Sequence, residues 1–284
     1  MLASFMHATI LSHSSLEKSI SFHMANQLSS PAMISTQIQA LFLEAFENSV
    51  AFRHSIRCDI LAVMERDPAV KTAPDVILYF KGFQALQAHR VSHWLWKSGR
   101  PTLALFLHSR ANTVFQIDIH PGAQLGDGVF IDHGTGVVIG ETAVVGDNVS
   151  MLHKVTLGGS GNKDVQRHPI VGNGVLLGAG ATLLGNIRIG DGAHIGACSM
   201  VLEDIPAYSV AVGQLFLLYL PAYIYLLLTY LFDVHRRTCP HRVSAQARGQ
   251  GGEPGLHDGD GAAGHRQQED LLLRHIRQQT ADTR

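Results

Sequence analysis

Residues 171–201 read VGNGVLLGAGATLLGNIRIGDGAHIGACSMV and contain a six-residue repeat. Its aliphatic positions recur every six residues, at Val171, Leu177, Leu183, Ile189, Ile195 and Val201. Glycine directly follows four of these positions. A period of six fits neither an amphipathic helix nor an alternating strand, but it fits a triangular coil in which each short face supplies one inward aliphatic side chain. The stretch therefore predicts a left-handed parallel β-helix.

The same ladder continues upstream with two irregularities. Its upstream positions are Ile119, Leu125, Ile131, Val137, Ile139, Val145, Met151 and Leu157. The register slips by two residues between Val137 and Ile139. Fourteen residues separate Leu157 from Val171, two hexads plus two residues, so part of this interval must leave the coil as a loop. An ordinary glycine-rich sandwich is the alternative, but chance rarely gives so long a ladder with glycine in phase.

The chain before the ladder has helical spacing from about residue 8 to 112. Residues 52–66 repeat apolar positions at helical intervals and stop at Asp67, because a residue before proline is disfavoured in the α region. A second long apolar run opens at residues 73–75 and ends at 97–101. We therefore expect an α+β chain with a helical domain at 1–112 and a β-helix at 113–213.

Composition excludes several classes of function. The formal charge of −1 over 284 residues gives no electrostatic reason to expect a nucleic-acid partner. Cys58, Cys198 and Cys239 lie far apart without CxxC spacing, so neither a disulfide framework nor a zinc knuckle is indicated. No signal or transit peptide is recognisable in the first thirty residues. We expect the protein to be in a reducing compartment, the cytoplasm, and an organelle is the alternative location.

The tail from residue 214 to 284 differs from the rest. Residues 215–232 are nearly all apolar and about long enough to span a bilayer, but they contain Pro221 and precede Arg236 and Arg237. A membrane anchor is the weaker interpretation. Residues 245–284 have the composition of a disordered segment. We interpret the break at Gly213 as a retained intron or frame error, which a transcript read through codons 213 and 214 in this frame would contradict.

Three polar clusters interrupt the ladder, at 118–121, 132–134 and 167–169. Asp118 and His133 are fifteen residues apart, close to the eighteen of a full coil, which predicts neighbouring coils about 5 Å apart. A neutral imidazole can remove the proton of a hydroxyl as that hydroxyl attacks a thioester. His133 is therefore the candidate general base, and Asp118 would fix its tautomer.

A metal site is the less favoured interpretation of the same histidines. The histidines of the ladder stand at 120, 133, 153, 168 and 194. They include no closely spaced pair, whereas zinc β-helix enzymes of the carbonic anhydrase type use one. We expect no metal, and we interpret His120 and His153 as residues of the coil wall.

Longer motifs give a family resemblance. They are RDPA at 66–69, KGFQALQAHR at 81–90, DIHPG at 118–122, DH at 132–133, GETAV at 140–144, VTLGG at 155–159 and RHP at 167–169. From about residue 7 to 213 the chain resembles the serine O-acetyltransferases. The resemblance implies acetyl transfer from acetyl-CoA to the hydroxyl of L-serine, the entry step of cysteine biosynthesis. It implies acetyl-CoA as co-substrate and no permanently bound cofactor.

The resemblance also implies roles for particular residues. It makes His133 the base and Asp118 its partner. The serine pocket would be lined by Asp67, Asp132, Arg167 and His168. Acidic residues suit the serine ammonium, and a guanidinium suits its carboxylate; a helix cap is the alternative role of Asp67. Acetyl-CoA would lie in the groove between neighbouring subunits, against Gly159, Ser160, Ala179, Gly180 and Ala197.

Assembly follows from the same resemblance. It implies a homotrimer with active sites between subunits, and helical domains that join two trimers. O-acetylserine sulfhydrylase binds the C-terminal tail in this family, and the unrelated tail puts that partner in doubt. An inactive scaffold or regulatory subunit is the alternative function, since the last coil is replaced. A sugar or xenobiotic acetyltransferase is disfavoured, since it would lack the helical domain.

Three positions depart from the family pattern. Gln166 stands where an acidic residue usually precedes Arg-His, Lys154 replaces a small residue, and His194 replaces a common lysine. Lys154 and His194 would add positive potential where CoA phosphates could lie.

Overall fold

Helices occupy the first part of the computed structural model, which describes residues 2–161 and 166–213. The α-helices of the described residues are α1 (Leu2–Met6), α2 (Leu16–Leu28), α3 (Ser35–Asn48), α4 (Val50–Arg66), α5 (Ala73–Tyr79), α6 (Lys81–Lys97) and α7 (Pro101–Phe115). A π-helical turn at His7–Leu11 joins α1 to the loop before α2. The tail, with its expected apolar segment at 215–232 and disordered segment beyond, lies outside the described residues. Within them, no helix is both long enough and apolar enough to cross a membrane.

The predicted run from residue 73 to 97 is two helices, which is a correction. The chain leaves the helical conformation at Phe80, between α5 and α6. The side-chain amide of Gln84 donates to the carbonyl oxygens of Ile77 and Leu78, at 2.9 and 3.0 Å, and so satisfies acceptors at the break. Gly82 lies against the carbonyl group of Ile131, where a Cβ atom would collide. The break thus lets α6 begin in close contact with the coil.

Fourteen short strands follow in the described residues, and each pairs in parallel with strands of neighbouring coils. Sheet I contains β1 (Asp118–Ile119), β4 (Val138–Ile139), β7 (Thr156–Gly158), β10 (Thr182–Leu184) and β13 (Met200–Val201). Sheet II contains β2 (Gln124–Leu125), β5 (Val144–Val145), β8 (Ile170–Val171) and β11 (Arg188–Ile189). Sheet III contains β3 (Phe130–Ile131), β6 (Ser150–Met151), β9 (Leu176–Leu177), β12 (His194–Ile195) and β14 (Val210–Ala211).

The hexapeptide ladder forms the core of this triangular coil. Every predicted inward position from 171 to 201 is at most 5% exposed. Val138 pairs with Thr156, a coil of eighteen residues, whereas Asp118 pairs with Val138, a coil of twenty. Thr156 pairs with Thr182, a coil of twenty-six that contains the loop. The structure therefore confirms both the slip and the loop that the sequence predicts.

The last helix, α7, leads directly into the coil. This helix ends at Phe115, so the boundary expected between 112 and 113 falls inside it. Gln116 adopts the left-handed conformation, with φ of 58°, and turns the chain into β1. The last turns of α7 consequently lie against the first strand of sheet I.

Candidate active site

The predicted site residues lie mainly at two edges of the triangular coil. The edge between sheets III and I, here called the His133 corner, comprises residues 132–137, 152–155, 178–181 and 196–199. The edge between sheets I and II, here called the His168 corner, comprises residues 120–123, 140–143, 159–161 and 166–169. One chain thus places Asp132 and His133 at one corner, and Arg167 and His168 at the other.

His133 lies in the turn that makes the first coil two residues longer. It has a left-handed φ of 55°, and Gly134 and Gly136 in the same turn have φ of 69° and 76°. Its side chain is 71% exposed, and Nε2 lies 3.5 Å from Oδ2 of Asp132. The ring of His153 packs edge-on at 5.8 Å between ring centroids. A solvent-accessible imidazole beside a carboxylate is suited to remove a proton from a substrate.

Asp118 lies at the start of β1 and is bound by a residue that the sequence did not indicate. Its Oδ1 atom is 2.6 Å from Nε2 of His108 in α7. The predicted bond between Asp118 and His133 is not among the hydrogen bonds of the described residues, where His133 contacts Asp132 instead. The pairing of Asp118 with His133 therefore stays a prediction, and the contact with His108 leaves Oδ2 of Asp118 available for it.

Asp67 is the C-cap residue of α4, and its backbone N–H donates to the carbonyl oxygen of Val63. Its Oδ1 atom accepts a hydrogen bond from the Ala69 amide at 2.8 Å, in the turn that follows the helix. The neighbouring Arg66 donates to the carbonyl oxygen of Gly128 and to Oγ of Ser150, at 3.1 and 3.2 Å, which fastens this end of the helix to sheet III. A groove of about 590 Å³ runs along sheet III there, and Asp132 lines it.

His168 is buried at its corner and held as an acceptor. Its Nδ1 atom lies 3.2 Å from the Thr142 amide and 2.9 Å from Oγ1 of Thr142. Burial lowers the pKa of His168, and the charge of Arg167 lowers it further. Gly140 and Gly159 flank the ring, and a Cβ atom on Gly140 would collide with it. The neutral ring thus accepts at Nδ1, which places its remaining proton on Nε2.

Arg167 is positioned by a carboxylate and by the turn around it. It pairs with Glu141, and this hydrogen bond holds the pKa of the Glu141 carboxyl below its ordinary value. The side-chain amide of Gln166 donates to the carbonyl oxygens of Thr142 and His168, at 2.8 and 2.7 Å. An ionised acidic side chain at 166 has no N–H to donate, so the departure has a local structural consequence.

The residues expected to contact acetyl-CoA are divided in the same way. Ala179, Gly180 and Ala197 lie at the His133 corner, on later coils than His133. Gly159 and Ser160 lie at the His168 corner, directly before the loop. No group of three His, Cys, Asp or Glu side chains within the described part of the chain is arranged to hold a metal ion.

Sequence reasoning missed contacts of these corners. Glu141 and Thr142 lie inside the quoted motif GETAV, but their roles in holding Arg167 and His168 depend on a coil register that the motif does not show. His108 gave no signal, because it lies in an otherwise ordinary amphipathic helix.

Family models match two parts of the chain. Residues 1–88 match "Serine acetyltransferase, N-terminal", and residues 168–203 match "Bacterial transferase hexapeptide (six repeats)". The chain is 52% identical over 214 residues to serine acetyltransferase 4 of Arabidopsis thaliana. That match covers 75% of this chain and 60% of the Arabidopsis protein. It is 50% identical over 213 residues to serine acetyltransferase of Escherichia coli K12. That match covers 75% of this chain and 78% of the bacterial protein. It therefore spans less than two thirds of the Arabidopsis protein but more than three quarters of the bacterial one.

Solved structures agree with these matches. Soybean serine acetyltransferase in complex with serine superposes with a TM-score of 0.73 at 55% identity, over 75% of this chain and 87% of that one. The Brucella abortus enzyme in complex with coenzyme A superposes with a TM-score of 0.73 at 47% identity, over 75% of this chain and 85% of that one. The triangular coil is the left-handed parallel β-helix expected from the hexapeptide repeat. By sequence and by fold, the chain belongs to the serine acetyltransferase family.

Proposed function

We propose that this chain transfers the acetyl group of acetyl-CoA to the hydroxyl of L-serine and releases O-acetyl-L-serine and CoA. The observation that carries the proposal is the exposed His133 imidazole, 3.5 Å from the Asp132 carboxylate on a turn that extends the coil. The relatives solved with serine and with coenzyme A support both substrates. The cytoplasm, as a reducing compartment, is part of the same proposal.

The complete site requires residues from both corners, and we assign it to the interface between neighbouring copies in a homotrimer. Serine must meet the base of one corner and the cationic group of the other, while one chain holds them at different edges. Exposed apolar side chains on sheets I and III, at Val138, Leu176, Met200 and Val210, favour contact of these two faces with other copies. In the described residues, sheet II carries no large exposed apolar side chain.

Each proposed residue has a definite task in the transfer. Asp132 and Asp67 bind the serine ammonium, and Arg167 binds its carboxylate through guanidinium N–H groups that Glu141 does not occupy. His133 takes the hydroxyl proton as the serine oxygen attacks the thioester carbon. The C–S bond then breaks, and the proton passes from the imidazolium to the departing thiolate.

Neutral His168 contributes its Nε2 proton to the same step. Since Thr142 occupies Nδ1, this proton is available to a substrate oxygen that gains negative charge in the transition state. The lowered pKa of His168 keeps the ring neutral near pH 7, in the tautomer that can donate.

Release of CoA thiol from acetyl-CoA, measured with L-serine and with L-alanine, tests the proposed reaction. L-alanine has the same ammonium and carboxylate but no hydroxyl, so we expect thiol release with L-serine alone. Release with a sugar or xenobiotic acceptor and none with L-serine would overturn the proposed substrate. No release with any acceptor would favour the scaffold alternative.

Co-expression of two inactive variants tests the shared site. His133→Ala removes the base of one corner, and Arg167→Ala removes the cation of the other. Mixed trimers of the two variants would contain some sites in which both residues are intact, so we expect partial recovery of activity. A mixture no more active than either variant alone would place each site within a single chain.

A further inference from the structure

We propose that His108 is a positioning residue for Asp118, the carboxylate assigned as partner of the catalytic base. This inference rests on the proposed function. His108 belongs to the helical part of the chain, and Asp118 begins the coil, so the contact would link the helices to the chemistry of the site.

The contact is short and specific. Nε2 of His108 lies 2.6 Å from Oδ1 of Asp118. The side chain of His108 is 18% exposed and that of Asp118 is 42% exposed, so the histidine is the better fixed of the two. Within the described residues, this is the one side-chain hydrogen bond of the Asp118 carboxylate. Without it, an exposed carboxylate at the start of a two-residue strand would have several accessible rotamers.

The His108 ring lies beside the ring of His120. Its centroid lies 6.0 Å from that of His120, and His120 in turn packs edge-on against Trp96 at 5.3 Å. His120 is itself fixed, since its Nδ1 atom accepts a hydrogen bond from the Gly122 amide at 3.0 Å. A fixed His120 ring limits the rotations that are open to the His108 ring beside it.

The bond occupies one oxygen of the carboxylate and leaves the other available. A carboxylate that orients a general base must itself be held in one rotamer, with an oxygen free for the imidazole. His108 satisfies Oδ1, so Oδ2 of Asp118 remains for His133 when the complete site forms. A hydrogen bond to a charged group contributes enough free energy for its loss to lower turnover about 10- to 100-fold.

Two substitutions of similar size separate positioning from simple packing. In His108→Gln the side-chain amide nitrogen can occupy the place of the ring Nε2 and donate to Asp118. In His108→Asn the shorter amide falls near the place of Nδ1 and cannot reach. Both are polar and uncharged, so a merely structural role would give them similar effects.

The test measures kcat and the two KM values with L-serine and acetyl-CoA for the full-length chain and both variants. We expect His108→Gln to retain kcat within about threefold, and His108→Asn to lose about 10- to 100-fold with both KM values nearly unchanged. In an Asp118→Asn background the two substitutions should have equal effects. The double-mutant comparison thus assigns the loss to this pair.

The outcomes distinguish this inference from the function it rests on. If the unmodified chain is active and His108→Asn is equally active, the positioning role of His108 is overturned alone. The same conclusion follows if both substitutions lower kcat equally. If the unmodified chain shows no serine-dependent thiol release, the proposed function is overturned, and the role of His108 with it.

Discussion

The guanidinium of Arg90 in α6 is paired with the carboxylate of Asp59 in α4, at 2.8 Å between Nε and Oδ2, and Asp59 has no exposed surface. The same carboxylate accepts a hydrogen bond from the Val129 amide at 3.2 Å, and the Arg90 guanidinium donates to the carbonyl oxygen of Gly126 at 2.7 Å. Two helices and the first coil therefore meet at one buried ion pair. Removal of either partner would leave an uncompensated charge in the interior.

Asp59→Ala should lower the free energy of unfolding by about 3–5 kcal/mol, because Arg90 loses its buried counter-charge. Urea denaturation monitored by circular dichroism measures the change. The control is Glu47→Ala at an exposed helical position, where we expect less than about 0.5 kcal/mol. A loss below about 1 kcal/mol in Asp59→Ala would show that the pair does not hold the helices to the coil.

Thr142→Val should raise the KM for L-serine. The Thr142 hydroxyl accepts the Arg167 amide at 3.1 Å and lies 2.9 Å from Nδ1 of His168, so valine removes two contacts that dock this turn. Two such hydrogen bonds together contribute about 1–3 kcal/mol, so their loss should lower kcat/KM for serine about tenfold or more. Thr142→Ser keeps the hydroxyl, so its KM for L-serine should stay near that of the unmodified chain. An equal rise of this KM in both variants would show that the Thr142 hydroxyl does not hold Arg167 and His168 in place.

The KM for L-serine should rise as pH falls through the pKa of His168, which lies below the ordinary histidine value of about 6.5. Burial lowers the pKa of His168, so the folded state favours the neutral ring. The contacts of the neutral ring are therefore fully present above the pKa of an unfolded histidine. They are lost as pH falls through the lower pKa of His168 in the folded protein. Protonation turns Nδ1 into a donor, which opposes the Thr142 amide.

His168→Asn provides the control for this pH dependence. Its side-chain oxygen can accept at the place of Nδ1 and does not titrate, so we expect a higher KM that is independent of pH between about 5.5 and 7.5. A KM for the unmodified chain that shows no rise down to the lowest pH at which the protein stays folded would contradict the role of His168.

Acetyl-CoA should protect Cys198 from iodoacetamide. Cys198 is exposed and directly follows Ala197, and its Sγ lies 3.3 Å from the position of a Cβ atom on Gly180, so a ligand against these residues would cover it. Burial raises the pKa of the Cys58 thiol to about 11, so Cys58 should react slowly whether or not ligand is present.

Peptide mass spectrometry of alkylated protein, with and without saturating acetyl-CoA in the absence of serine, measures both rates. An unchanged rate at Cys198 would place acetyl-CoA elsewhere. The rate at Cys58 is the internal reference, since no proposed contact with acetyl-CoA lies near it.

The coil could be predicted almost entirely from the sequence, because its physical requirement is local. One inward aliphatic side chain per face produces the period of six, and an insertion produces a visible shift of register. The two-residue slip after Val137 reports the longer turn that carries His133. The division of the helical run at Phe80 could not be predicted, since it depends on the approach of Gly82 to a coil distant in sequence.

The site could be predicted residue by residue but not as an arrangement. Spacing brought Asp118 near the coil of His133, but it could not show that His108 occupies that carboxylate. That contact depends on which helix packs on which face, and a periodic pattern carries no information about that.

Serine-dependent thiol release by the unmodified chain and by His133→Ala, compared at pH 7.5, tests whether His133 is the general base. Removal of a general base typically costs about 10²- to 10⁴-fold in rate. We predict release that requires L-serine, and a loss of this size in His133→Ala, with the variant still folded by circular dichroism. Serine-dependent release at the same rate in both proteins would contradict the assignment of His133 as the base.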